Sequence, residues 1–282
     1  MSNSRLSPRA RRVVAAAALL LLLAAPAAAQ NTRLKNIDLC NGADRTSSEP
    51  QIKGCTALID AGNEPSRLLA VAYNNRGNAN IGRGEYDRAI QDFDQAIKIN
   101  PNYARAFNNR GVAFEKTGQY DRAIRDLDEA IRLDPNYANA FANRAETYLN
   151  KGEHDRAIRD YGEAIRLQPT SAAWSGRCRT HAGKGELETA LADCGVALRL
   201  DSNSAAILDL RGLVYLRMGQ WDLAIANYSS ALGVNPGLAS SLYGRGVARK
   251  RKGLVDQGTA DIAAARSIAP NISEEFARYG LK

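Results

Sequence analysis

The sequence predicts an all-α protein, a solenoid of antiparallel helix hairpins. Three observations lead there. Pro101, Pro135 and Pro169 are spaced 34 residues apart, as are Pro236 and Pro270, and Ser202 fills the one empty place between them. The text around these marks nearly repeats, as in YDRAIQDFDQAIKINPNYARAFNNRG and YDRAIRDLDEAIRLDPNYANAFANRA. Within one period, apolar residues recur at helical rather than strand spacing. A fixed period of this length marks an array whose units cannot bury their apolar faces alone.

The chain opens differently. Arg5, Arg9, Arg11 and Arg12 form a basic head, followed by an apolar run from Val13 to Ala25 and then Pro26-Ala27-Ala28-Ala29. This is the form of a secretory signal peptide, with cleavage expected after Ala29. The run of 13 residues is shorter than the ~20 that a spanning helix needs. Periplasmic or secreted localisation is therefore expected, with no transmembrane segment in the mature chain. Four basic residues leave with residues 1–29, so 34 Lys+Arg face 30 Asp+Glu, a net charge of +4 rather than +8. So modest a balance argues against a nucleic-acid partner. The four cysteines of the mature chain, an even number, point in an exported protein to two disulfides, with free buried thiols as the alternative.

One period, Ala104 to Tyr137, shows the physics of all. Ala106, Phe107, Arg110, Gly111 and Phe114 share one face of a first helix. Gly118 breaks that helix, and Asp121 can start a second, whose inner face carries Ala123, Leu127 and Ala130. Pro135 stops the second helix, because proline disfavours helix at the residue before it. Small residues at 111, 123 and 130 let two backbones approach closely, while Phe107 and Leu127 fill the space beside them.

This pattern resembles the tetratricopeptide repeat. Six units match: 70–103, 104–137, 138–170, 171–204, 205–238 and 239–272. Their eighth positions read Gly77, Gly111, Ala145, Cys178, Gly212 and Gly246, and their twentieth Ala89, Ala123, Ala157, Ala190, Ala224 and Gly258. The twenty-seventh is alanine in every unit, from Ala96 to Ala265. Residues 30–69 look like a divergent hairpin capping one end, and 273–282 like a capping helix at the other. The resemblance implies a right-handed superhelix whose first helices line a concave groove.

Two features depart from the family pattern. The seventh position, usually leucine, is Arg76, Arg110, Arg144, Arg177, Arg211 and Arg245, and the twenty-third is Asp92, Asp126, Asp160, Asp193, Asn227 and Asp261. Because the two rows stand on facing helices, Arg–Asp pairs are expected in five units, the arginine fork being suited to a carboxylate. The alternative is an arginine ladder for an anionic ligand. The cysteines follow the same frame. Cys178 and Cys194 hold the eighth and twenty-fourth positions of one unit, and Cys40 and Cys55 a similar relation in the N-terminal hairpin, so each pair is expected to bond.

By resemblance, first-helix positions 2, 5, 6, 9, 12 and 13 face the groove. They include Asn74, Asn75, Asn78, Arg105, Asn108, Asn109, Asn139 and Asn143. Asparagine is a poor helix-interior residue, and its carboxamide can bond both the N–H and the C=O of an extended peptide. The alternative is a solvated polar face. A clamp for a C-terminal carboxylate is not expected, since Asn74, Asn139 and Asn143 stand where that clamp needs basic groups. Arg249-Lys250-Arg251-Lys252 is a possible patch for an anionic partner, or else a solvated helix end. No phosphate loop, nucleophile elbow or metal-ligand cluster is visible, so neither catalysis nor a cofactor is expected. The expected function is an interaction scaffold for proteins or peptides, with a self-assembling structural subunit of the cell envelope as the alternative.

Overall fold

The structure is a computed structural model that describes residues 29–43 and 47–281. Apart from residue 29, the expected signal segment lies outside the described residues. These form fifteen helices and no strand. They are α1 (29–40), α2 (Ser48–Ala61), α3 (Ser66–Gly82), α4 (Tyr86–Ile99), α5 (Ala104–Lys116), α6 (Tyr120–Leu133), α7 (Ala138–Asn150) and α8 (His154–Leu167). After them come α9 (Ser171–Lys184), α10 (Leu187–Leu200), α11 (Ala205–Arg217), α12 (Trp221–Val234), α13 (Ala239–Arg251), α14 (Val255–Ile268) and α15 (Ile272–Ala277). The chain divides into two compact units, Met1–Gln119 and Tyr120–Lys282.

The helices end where the repeat says, for reasons visible in the backbone. Gly152, between α7 and α8, adopts φ +79°, a left-handed conformation that favours glycine. Its N–H bonds Leu149 O at 2.9 Å, and that of Glu153 bonds Tyr148 O at 2.8 Å, so the turn satisfies the last carbonyls of α7. At the far end of α8, Gln168 is extended at φ −149° before Pro169. Asp201 takes nearly the same shape at φ −142°, ψ 85°, with Ser202 in the proline's place. Packing there imposes the geometry that proline secures elsewhere.

Each unit is a stack of hairpins in which a second helix lies between two first helices. In unit 1, α4 packs on α3 and α5; in unit 2, α8, α10 and α12 do the same for α7, α9, α11 and α13. Alanines at the twentieth position, including Ala89, Ala157, Ala190 and Ala224, are completely buried at these crossings. The cysteine pairs are bonded: Cys40–Cys55 joins α1 to α2, and Cys178–Cys194 joins α9 to α10. At the C-terminus the last helix spans only Ile272–Ala277, shorter than the expected 273–282. Phe276 from it stacks on Tyr243 with ring centroids 4.7 Å apart.

Candidate functional site

The seventh-position arginines form the frame on which the first-helix faces are built. Arg144 grips Asp160 with two parallel bonds, Nε to Oδ2 at 2.7 Å and Nη2 to Oδ1 at 2.8 Å. Arg177 does the same with Asp193 at 2.7 and 2.8 Å, and Arg245 with Asp261 at 2.8 Å twice. Arg76 bonds Asp92 through Nε and Nη2, the shortest contact being 2.7 Å. In the fifth unit, where aspartate is replaced, Arg211 donates to Asn227 Oδ1 at 2.7 Å.

A second use of these arginines was not foreseen. Their remaining nitrogen reaches back to the preceding hairpin: Arg144 Nη1 to Asp128 at 2.6 Å, Arg110 Nη1 to Asp94 at 2.5 Å, and Arg76 Nη1 to Thr56 at 3.1 Å. Each of these side chains therefore ties two hairpins together. Burial would lower the Arg144 pKa, but bonding to Asp160 and Asp128 raises it, so the charge is secure. Aromatic residues three places earlier cover the guanidinium, with Arg177 4.6 Å from the Trp174 ring centre and Arg144 5.6 Å from that of Phe141. The arginines are engaged inside the scaffold rather than presented to solvent.

In unit 1 the expected asparagines are joined to one another. Asn108 donates to Asn109 at 3.0 Å, Asn109 to Asn74 at 3.0 Å, and Asn74 to Asn75 at 3.3 Å. Asn75 completes the series on Cys40 O at 3.2 Å and Asn41 Oδ1 at 3.3 Å. Asn74 and Asn108 are buried, only 4% exposed, so they orient the half-buried Asn75 and Asn109 rather than face a partner. Asn78 and Arg105 are exposed beside them.

In unit 2, Asn139 is exposed and Asn143 half-buried. What distinguishes this unit is glycine at the sixth position of two first helices. A Cβ on Gly176 would lie 2.4 Å from the Tyr161 ring, and one on Gly244 would lie 2.3 Å from the Tyr228 ring. Each glycine admits a tyrosine of the preceding second helix into the first-helix layer. Tyr161 Oη donates to Glu146 at 2.6 Å, and Glu146 is also paired with Arg179. Tyr228, wholly buried, has no partner for its hydroxyl among the described residues. The signal was in the sequence: glycine fifteen or sixteen residues after a tyrosine, where other units carry asparagine or leucine.

The basic cluster divides. Arg249 bonds Asp261 at 2.7 Å, beside Arg245, and Lys252 is paired with Asp222. Lys250 and Arg251 are exposed and, with Arg266, line a cleft of about 440 Å³ between α13 and α14.

Family models described as tetratricopeptide repeats match residues 77–118, 104–137, 138–171 and 210–271. Among solved structures, a tetratricopeptide repeat protein from Parabacteroides merdae aligns with TM-score 0.67 at 15% identity, over 89% of this chain and 99% of its own. The Pseudomonas aeruginosa protein pilF aligns with TM-score 0.66 at 19% identity, over 76% and 99%. YrrB, described as a TPR protein with an unusual peptide-binding site, aligns with TM-score 0.52 at 20% identity, over 66% and 97%. At these identities the likeness is one of fold. No curated protein matches the chain.

Proposed function

Because the chain belongs to the tetratricopeptide repeat family, we propose that it is an exported, non-catalytic scaffold that holds an extended segment of a partner protein on its first-helix faces. The observation carrying this reading is the linked asparagine series of unit 1. Carboxamides that hydrogen-bond one another are fixed in orientation before any partner arrives, which lowers the entropy lost on binding. Each has two N–H donors and an oxygen with two lone pairs. The Asn75 amide donates to both Cys40 O and Asn41 Oδ1, so half-buried Asn75 offers a peptide backbone its oxygen, while half-buried Asn109 keeps donor and acceptor capacity. Exposed Asn78 and Arg105 flank them.

Export is supported by the two disulfides, which persist in oxidising compartments and are rare in reducing ones. Among the described residues, no helix is long and apolar enough to cross a membrane.

Photo-cross-linking from position 78 in the native host tests the groove. Wild type should capture a discrete partner, and Asn75→Ala/Asn109→Ala should lose it while keeping a cooperative melt. Capture of the same partner by both would move binding away from this face. Sequencing the N-terminus of the exported protein should return Gln30 first; recovery of an uncleaved cytosolic chain would refute export.

A further inference from the structure

In unit 2 each first helix after α7 packs on both helices of the hairpin before it: α9 on α7 and α8, α11 on α9 and α10, α13 on α11 and α12. After α14 that place goes to α15, which has 6 residues where α7, α9, α11 and α13 have 13 or 14. Gly280 turns the chain away at φ +73°, and the Leu281 N–H closes the helix on Phe276 O at 3.1 Å. A cleft of about 440 Å³ remains between α13 and α14, and none of its lining residues belongs to α15.

That lining breaks the repeat. In the three preceding hairpins of unit 2 the twenty-eighth position is Ile165, Leu198 and Leu232, and Leu198 packs with Ile207 and Leu208 of the next first helix. Here the position is Arg266, exposed in the cleft. The twelfth position, apolar in the same three hairpins, becomes Lys250, with Arg251 beside it. The floor stays apolar, with buried Val247 and half-buried Ile262. A terminal repeat needs a polar outer face for solubility, but groups of either sign would serve. This cleft carries one sign only. Arg249 and Lys252 are engaged by Asp261 and Asp222. Lys250, Arg251 and Arg266 converge on a cleft that no acid lines, and they form no ion pair among the described residues.

We propose that this cleft docks an acidic amphipathic helix of a partner protein, in the place of a seventh first helix. Its apolar stripe lies on Val247 and Ile262, and its carboxylates meet Lys250, Arg251 and Arg266. A helix fits because α9, α11 and α13 fill the equivalent clefts of the same unit, and an amphipathic helix laid in a groove is a recurring mode of recognition. Charge selects an acidic one. An apolar helix like those of the array itself would cover the three cations without pairing them, which costs free energy, so the same residues reject a further hairpin of this kind. The inference rests on the chain being a protein-interaction scaffold, but not on the asparagine face of unit 1.

The test follows the fluorescence anisotropy of a labelled, amidated peptide, two copies of Ala-Leu-Glu-Glu-Ala-Leu-Glu, titrated with the full chain. Binding is expected. Glutamine in place of every glutamate, or serine in place of every leucine, should weaken it roughly tenfold or more. Lys250→Glu/Arg266→Glu should weaken it as much with an unchanged melt, since both side chains are exposed. Lys53→Glu/Lys98→Glu makes the same change of charge at exposed positions of unit 1 and should bind as wild type, as should Asn75→Ala/Asn109→Ala. Equal loss in the two charge-reversed variants would mean diffuse attraction, and equal affinity for the leucine and serine peptides would mean that no helix docks; either result overturns the proposal. So does a dimer of the chain alone that Lys250→Glu/Arg266→Glu disperses, which would seat a second copy in the cleft. No binding of the acidic peptide by wild type overturns this end site and leaves the groove of unit 1 to be judged by its own cross-linking experiment.

Discussion

The first-helix faces of the two units grow from the same repeat and resolve their polar groups in opposite ways. In unit 1 the sixth position carries Asn75 and Asn109, and these carboxamides bond Asn74, Asn108 and the end of α1 until the series is closed. In unit 2 the same position is twice glycine, and a tyrosine from the helix behind occupies the space. One of these tyrosines finds Glu146, and the hydroxyl of the other finds no partner among the described residues. A closed network stiffens a surface. A buried group left open marks a place where stability was not the only requirement.

The contrast can be broken most severely at what the two faces share. Arg144→Leu strands Asp160 and Asp128 together, and removing one partner of a mostly buried pair should cost roughly 3 kcal/mol. Urea unfolding measures it, and a wild-type midpoint would mean that the arginines are not structural. Next comes the glycine itself. Gly244→Ala should destabilise unit 2 by about 1–3 kcal/mol through overpacking against Tyr228. Most of that loss should vanish when Tyr228 is first replaced by leucine; strict additivity in the double-mutant cycle would refute the fit of ring to glycine.

The tyrosines sharpen the comparison further. Tyr161→Phe leaves Glu146 short of a donor and should lose about 1 kcal/mol, whereas Tyr228→Phe removes an unsatisfied group and should be neutral or slightly stabilising. Equal losses in thermal melts would show that Tyr228 is partnered after all. The smallest effect is that of pH on Asp209. Its raised pKa, due first to burial, means that the native chain keeps this proton after the unfolded chain has released it. Stability from this group is then full below the ordinary aspartate range and is lost as pH rises through the raised value. Asp209→Asn should flatten that part of the urea midpoint against pH, and an unchanged profile would assign the slope to other groups.

Much of the scaffold was legible because a hairpin array is nearly one-dimensional, so the residues that must meet lie close along the chain. Arg144 and Asp160 are 16 residues apart on facing helices, as are Cys178 and Cys194. A frame of small residues at fixed offsets placed both pairs. The candidate faces were legible only in part. Position 5 was expected to present Asn74 and Asn108 to a ligand, yet both are turned into contacts with neighbouring carboxamides and buried. A helical wheel gives the direction of a side chain but not how closely the next hairpin approaches.

By itself, then, the sequence determined the hairpins, their 34-residue period, the close crossings at alanine and glycine, and which residues could pair inside one hairpin. The tertiary structure decided what happens between hairpins. There Arg144 reaches back to Asp128, asparagines close upon one another, and the Tyr228 ring packs into the space that Gly244 leaves. The physical reason is that contacts within a hairpin follow from helix periodicity and a short turn. Contacts between hairpins depend on the rotation and spacing of whole rigid helices, which the packing of many side chains sets together.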